Sequence, residues 1–525
     1  MQARVNEFRG ERVESYGRTV IYEGFPFFFY EVTEPVLTED ERIIQDALTG
    51  LILGRLGIDE LPARYGGLFT REFLSQFRDN IIRPITYNEG LEFLLRTEDM
   101  NALRVALLAM LKEFFPESKN APVVAELILD NSVGYGKIAV LTNDDDLEEI
   151  MVNGYERSVF IFHRRFGHCK TNIDFSSKKA LDDLLQKIAR SVGKKIDADH
   201  PLLDARLPDG NRANATYSFV TPFGPTLTVR KFTAAPLTIV DLVQNGTLSS
   251  DLAAFLWMMV EGLGTEPMNI IITGGSSTGK TTLLNALSVF IRFSERVITI
   301  EDTLELQFGN RDNWVQMETR PKLKGQDGIS MNDLLKNALR MRPDRIVVGE
   351  VRGPEAQTLF IAMDTGHKGI LGTLHSNSAR EMLLRLKSDP MNVLEELVPL
   401  LNLVVVQYRM YVKGKGWQRR ILTVTEISSM ERQALVSNIY EWDGKNDTIK
   451  RTDVPMRLIE DLAVKTLKTK KEIEKEIFVR KKILDWMVSN GIRSLQEVEL
   501  VVQQYYYDPD SLLKKVLAEN HEPTM

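Results

Sequence analysis

Residues 274–281 run Gly-Gly-Ser-Ser-Thr-Gly-Lys-Thr, a complete G-x-x-x-x-G-K-[ST] pattern whose residue types suit one task, the cradling of phosphate. Gly274 and Gly279 let the backbone curl, so that the N–H groups of Gly275, Ser276, Ser277 and Thr278 turn toward phosphate oxygens. Lys280 is placed to reach the β- and γ-phosphates, and Thr281, with Thr282 beside it, to hold Mg²⁺ through its hydroxyl. A helix starting here would add its positive N-terminal dipole.

Three further runs end in groups that could act on such a ligand. Val297–Glu301 is apolar and ends in Glu301 and Asp302, and a carboxylate there can polarise or position an attacking water. Arg345–Gly349 is a second apolar run, ending in Glu350. Glu350 is the candidate for holding the Mg²⁺ shell through water; the role of catalytic base falls to Glu301 or is shared between the two. A third run, Gly366–His375, ends in His375, which either senses the γ-phosphate by hydrogen bonding or is a histidine satisfied in the core.

The elements that must position these groups are legible in outline. An apolar, β-branched run over 268–273 precedes the glycine loop and helix-spaced apolar residues over 282–290 follow it, the strand–loop–helix context that the motif requires. Residues 236–430 alternate strand and helix as a parallel sheet with crossover helices does, with strands expected at 268–273, 296–301, 345–349 and 370–374. Leu403–Val412 and Gln418–Glu426 then read as strands of a hairpin joined through 413–416. Residues 116–235 read as a mixed α/β domain with its linker at 232–238: strands are expected at 136–142, 150–153, 159–164 and 226–230, and an amphipathic helix at 178–192. Residues 1–115 are expected to be a helical lead-in, with helices near 39–52 and 89–115, and residues 431–525 a helical C-terminal part of the last domain. The aromatic run Phe25–Tyr30 suits either an exposed contact or a short buried strand. The fold class expected is therefore α/β, a P-loop domain preceded by a mixed α/β domain and a helical lead-in.

Bulk properties narrow the function. The 525 residues, 43% hydrophobic and 26% charged, are those of an ordinary globular protein of two or three domains. A net charge of −7 gives no global basic field, and no basic stripe interleaved with aromatics is present, so direct nucleic-acid binding is not expected. A single cysteine, Cys169, rules out an intrachain disulfide and fits a reducing compartment. The polar start resembles no signal peptide and no apolar run approaches spanning length, so work at a membrane would go through a partner. His163, His168 and Cys169 are close enough to raise a metal site, although no fourth ligand is evident.

Taken in order, these boxes resemble the ATPase superfamily of type II and type IV secretion systems, over roughly residues 120–430. Ile300–Glu305 is similar to that family's Asp box, Leu339–Glu350 to its atypical Walker B, Gly366–Ser376 to its His box and Pro201–Ala213 to its segment upstream. The resemblance implies a RecA-like ATPase domain using ATP and Mg²⁺, a homo-oligomer that is a hexameric ring, and arginines of the preceding domain acting on phosphate. Arg212 is the firmest of these arginines, with Arg206 and Arg230 in the same segment. With one cysteine, the chain lacks the tetracysteine module of many bacterial members. Residues 146–173 and 226–232 look most like the archaeal branch, the archaellum motor and assembly ATPase. That resemblance implies a cytoplasmic protein at the inner face of the cell membrane, held by a polytopic membrane platform protein and accessory motor proteins. It would couple ATP hydrolysis to filament assembly and rotation. Pilus assembly or retraction, or type II protein secretion, is the alternative, ahead of a nucleic-acid translocase or a scaffold that binds ATP without turnover.

Overall fold

The lead-in expected to be helical carries three strands, β1 (Phe8–Tyr16), β2 (Thr19–Phe25) and β3 (Phe28–Val32), the last overlapping the aromatic run for which a short buried strand was one reading. The structure, a computed structural model, describes residues 8–87, 97–231, 236–320, 327–412, 416–430 and 433–519. The chain divides into two units, 1–233 and 234–525. Residues 232–235 of the expected linker, 413–415 of the expected hairpin turn and 89–96 of an expected helix lie outside the described residues.

In the first unit six more strands complete a sheet: β4 (Leu147–Asn153), β5 (Ser158–His163), β6 (Gly167–Asp174), β7 (Leu202–Arg206), β8 (Arg212–Thr216) and β9 (Thr226–Arg230). Their order is β1-β2-β3-β6-β5-β4-β9-β8-β7. The lead-in is thus not purely helical. Its strands join the α/β sheet through a parallel pairing of β3 with β6, Phe28 facing Cys169. Tyr30 is fully buried in that join and donates to Asp144, whereas Phe25 of the same aromatic run is exposed, so the run divides between core and surface. Helices Glu39–Ile52, Thr97–Phe114 and Ala121–Ser132 pack around a separate apolar core that includes Leu48, Phe73, Phe77, Leu107 and Ile128. Helix Lys178–Ser191 buries Leu181, Leu185 and Ile188 against the sheet, as its spacing predicts.

Residues 136–142 are not a strand. They form a short helical stretch, Gly136–Ile138 and Ala139–Thr142, that buries Ile138, Ala139 and Leu141. A short apolar run has no period that distinguishes a buried strand from a buried turn of helix. His163, His168 and Cys169 do not converge. His163 is buried, with Nδ1 accepting the backbone N–H of Arg165 (3.1 Å) and Nε2 facing the Tyr16 hydroxyl. His168 packs edge-on against Phe162, and among the described residues no group of three or more His, Cys, Asp or Glu could hold a metal ion.

The second unit is built on β10 (Ile270–Gly274), β11 (Val297–Glu301), β12 (Trp314–Glu318), β13 (Arg345–Val351), β14 (Leu371–Leu374), β15 (Leu403–Val412), β16 (Gly416–Met430), β17 (Gln433–Asp443) and β18 (Thr448–Arg451). The order is β12-β11-β13-β14-β10-β15-β16-β17-β18, parallel as far as β15 and antiparallel beyond. Both faces are covered, which is why the parallel strands read as unbroken apolar runs. Ile270 and Ile272 enter one core, Ile271 the other. The C-terminal part is helical only from Arg457; residues 433–451 extend the sheet instead. Helix Lys470–Ser489 then packs on helix Ser250–Glu261, where buried Arg480 donates to Glu261 at 2.9 Å.

Candidate functional site

The strand ends that sequence reading singled out lie side by side. β10, β14, β13 and β11 are consecutive and parallel, so the loop after Gly274, His375, Glu350 and Glu301 all emerge at one edge of the sheet. Parallel α/β sheets bind ligands outside this carboxyl edge.

The glycine loop is curled as the motif demands. Ser277 has φ +56° and Gly279 φ +94°, two left-handed residues around buried Thr278, and such turns direct backbone N–H groups into a common concavity. Helix Lys280–Ser288 begins at once, with Thr281 and Thr282 half-buried in its first turn. Lys280 Nζ donates to the carbonyls of Gly274 (3.1 Å) and Gly275 (2.9 Å), so the ammonium is held within reach of the loop it serves. Gly274 is required sterically: a Cβ there would sit 2.3 Å from the Gln407 carbonyl oxygen and 2.6 Å from Thr278 Oγ1. Ser276 and Ser277 are exposed at the tip, and Gly275 is half-buried.

Glu301 is the most constrained carboxylate of the site. It is only 2% exposed. One oxygen accepts the backbone N–H groups of Glu305 (2.7 Å) and Leu306 (3.0 Å), while Oε1 is buried without a hydrogen-bond partner. Burial pushes the carboxyl up to about 7, outweighing the two N–H groups that pull it down. Glu301 packs on Gly349, where a Cβ would lie 3.0 Å from Glu301 Cγ, so the glycine of Gly349-Glu350 is what gives Glu301 its room. Glu350 is half-buried at the end of β13, and Thr373 Oγ1 fixes the Gly349 carbonyl at 2.6 Å. Asp302 forms an ion pair with Arg352 and accepts from Thr319 Oγ1 at 3.1 Å. His375 is half-buried and its carbonyl accepts from Arg385; the next residue, Ser376, accepts Thr273 Oγ1 of β10 at 2.9 Å. The histidine strand is thereby tied to the root of the phosphate loop.

The hydroxyl of Thr281 and the carboxylate of Glu350 are hard oxygen donors, the kind that Mg²⁺ takes, and the left-handed turns at Ser277 and Gly279 give the concavity of backbone N–H groups that suits a phosphate. The residues present therefore fit a Mg-nucleotide.

In the first unit the structure aligns what the sequence left scattered. Arg206 faces Arg212 across β7–β8, and Arg212 faces Arg230 across β8–β9, so the three arginines form one row on the outward face of the sheet. Asp204 holds Arg212 by both of its oxygens, at 3.0 and 2.8 Å.

Three residues beside the loop were not foreseen. Buried Gln407 of β15 has Nε2 3.2 Å from a Cβ placed on Gly279, and its Oε1 lacks a hydrogen-bond partner. Arg419 of β16 donates to the Ser277 carbonyl at 3.3 Å, and Asn377 Oδ1 lies 3.4 Å from a Cβ placed on Gly275. A lone glutamine after the run Leu403–Val406 and an asparagine just past His375 were visible signals; nothing in the sequence marks Arg419.

The family described as type II/IV secretion system protein matches residues 133–413, more than half of the chain. The chain belongs to that family. Relatives of the chain include an uncharacterized protein of Methanocaldococcus jannaschii, 32% identical over 73% of the chain and 76% of the relative. Another is the conjugal transfer protein TrbB of Rhizobium radiobacter, 30% identical over 57% of the chain and 89% of the relative. Among solved structures, the VirB11 ATPase of the Brucella suis type IV secretion system is 25% identical, covering 54% of the chain and 90% of that structure with a TM-score of 0.28. The Legionella pneumophila ATPase DotB is 20% identical over 56% and 79%, with a TM-score of 0.39. Among the described residues no helix is long and apolar enough to cross a membrane.

Proposed function

We propose that the chain is the ATPase of a hexameric motor that couples Mg-ATP hydrolysis to assembly and rotation of an archaellum-type filament, through a polytopic membrane platform protein and accessory motor proteins. The observation that carries the hydrolytic part is the shared edge of the sheet, where a curled phosphate loop and a buried carboxylate with an unpartnered oxygen lie on the same side. The archaellum part rests on residues 146–173 and on the relative in an archaeon.

Lys280 leaves its own loop carbonyls for phosphate oxygens, and the N–H groups from Gly275 to Thr281 take up the negative charge. Thr281 and Glu350 would hold Mg²⁺, which supplies charge neutralisation on the phosphates. Neighbouring strands lie about 4.8 Å apart, which puts the end of β13 roughly 10 Å and that of β11 roughly 14 Å from β10. Glu350 is thus the nearer carboxylate and takes the metal; Glu301, farther out and poised near neutrality, positions the water and receives its proton. His375 reports on the phosphate through its strand, and Arg212, with Arg206 and Arg230 in its row, stabilises the charge that develops on transfer.

ATP turnover of the parent beside Lys280→Ala and Glu350→Gln, with mass by light scattering, tests the reading. Turnover lost in both variants and a nucleotide-promoted hexamer are expected; a parent that binds ATP and never hydrolyses it overturns it. The conjugal transfer relatives favour a second reading, a type IV secretion or pilus ATPase with the same site. Disruption of the gene in its source organism separates the two: loss of swimming filaments supports the first, and loss of transfer or pili with swimming intact supports the second.

A further inference from the structure

Residues 464–485 carry eight basic and four acidic side chains, and the structure distributes them unevenly. Of the acidic ones, Asp485 is half-buried and the other three are engaged close by or within the fold. Glu472 caps the helix at Thr469, Glu474 pairs with Arg451, and Glu476 takes Arg480 and the Tyr505 hydroxyl. Three of the basic ones are likewise engaged: Lys465 with Glu266, Lys470 with Glu460, and Arg480 with Glu261. What remains outward is nearly all lysine. Along helix Lys470–Ser489, Lys471, Lys475, Phe478 and Lys482 recur at intervals of four, three and four residues, so they form one stripe. All four are exposed, and the stripe lies opposite the buried Ile473, Ile477, Arg480 and Leu484.

Apolar side chains stand on this cationic strip rather than under it. Phe478 is 56% exposed within the stripe, with Lys482 Nζ 5.5 Å from its ring centroid. At the corner that leads into the helix, Leu467 is 95% exposed at φ +55°, and Val464 is 75% exposed. Lys468 is exposed beside them. A left-handed leucine turned wholly to water is costly twice over, in backbone strain and in apolar exposure.

We propose that this face, Leu467 through Lys482, docks on an anionic lipid surface, with Leu467 and Phe478 entering the headgroup region and the lysines lying over the charged headgroups. The charges of the face are lysines, mobile point charges suited to a diffuse anionic layer, and not the planar arginine forks that grip fixed carboxylates. The chain as a whole carries −7, so attraction to such a surface must come from a local face of this kind. This inference does not depend on hydrolysis.

The test is flotation of the purified full chain with vesicles of equimolar phosphatidylcholine and phosphatidylglycerol, beside vesicles of phosphatidylcholine alone. Binding to the anionic vesicles alone, falling with salt, is expected. Each lysine near such a surface contributes roughly five-fold to partitioning, so Lys471→Glu/Lys475→Glu/Lys482→Glu should lower it by on the order of 100-fold or more. Leu467→Ser/Phe478→Ser should lower it several-fold while leaving the dependence on anionic lipid. Because all these side chains are exposed, circular dichroism should match the parent; if the charge reversal disturbs folding, the Lys→Gln triple variant replaces it with the same direction expected. Equal partition of parent and triple variant, equal binding to both vesicles, or no flotation of the parent would each overturn the proposal, the last leaving an acidic protein surface as the occupant.

Discussion

Replacing Glu301 with Gln should separate stability from function at one atom. The carboxyl is moved from an ordinary value of 4.5 to about 7 by burial, a difference of 2.5 pH units. At 1.36 kcal/mol per unit this is about 3 kcal/mol. The sign follows from proton binding. Between 4.5 and about 7 the folded state holds a proton on Glu301 that the unfolded state has released, so folding stability falls as pH rises through that window. Above it the parent carries the full cost of a buried charge. Gln carries none, keeps an oxygen for the N–H groups of Glu305 and Leu306, and leaves a buried amide N–H₂ whose loss of water costs about 1–3 kcal/mol at any pH. Urea unfolding of both proteins at about pH 4.5 and about pH 8 should therefore show the stability difference, variant minus parent, growing by about 3 kcal/mol toward high pH. ATP turnover should move the opposite way. The parent should lose activity as pH drops below about 7, because the base must be ionised, and the variant should be slow throughout, by about 100-fold or more. A parent profile flat from about pH 6 to pH 8, or a stability difference that does not change with pH, would refute both the assigned protonation and the catalytic role.

Other consequences are sharper in geometry than in energy. Gly274→Ala puts a Cβ 2.3 Å from a backbone oxygen of β15, which cannot yield, so the variant should unfold about 1–3 kcal/mol earlier and bind a fluorescent ADP analogue much more weakly; parental affinity would show that the loop is not where it is drawn. Asp204→Asn loosens an exposed ion pair and should change the stability to urea unfolding by no more than about 1 kcal/mol, whereas Arg212→Ala should slow turnover with the fold intact; equal turnover in the parent and Arg212→Ala would remove that arginine from the mechanism. His163 is held neutral, its pKa lowered by burial, so its contribution is present above about 6.5 and is lost as pH falls below that value. Thermal unfolding of the first unit should accordingly be acid-sensitive, and less so in His163→Phe.

The phosphate loop was legible because it is local: eight consecutive residues supply the cradle, the lysine and the hydroxyl, and the flanking strand and helix announce themselves by period. The same holds for the ends of β11, β13 and β14, since buried parallel strands are mostly apolar and the carboxylate or histidine that closes each run marks the edge. Of the opening strands only the last was anticipated, as one of two readings of the run Phe25–Tyr30; β1, rich in charged residues, is an edge strand, and β3 finds its parallel partner, β6, more than 130 residues away. The run 136–142 was misread because four apolar residues fit a strand and a turn of helix equally well.

What the sequence determined by itself is the chemistry on offer: a phosphate-binding curl, two carboxylates and a histidine at strand ends, and arginines upstream. Only the tertiary structure decided which of these groups meet. Strand order set β13 nearer β10 than β11, register drew Arg206, Arg212 and Arg230 into one row, and packing left Glu301 an unpartnered oxygen and brought Gln407 and Arg419 up to the loop from β15 and β16. Backbone curl is written in neighbouring residues, whereas protonation, reach and charge pairing depend on atoms that the chain brings together only by folding.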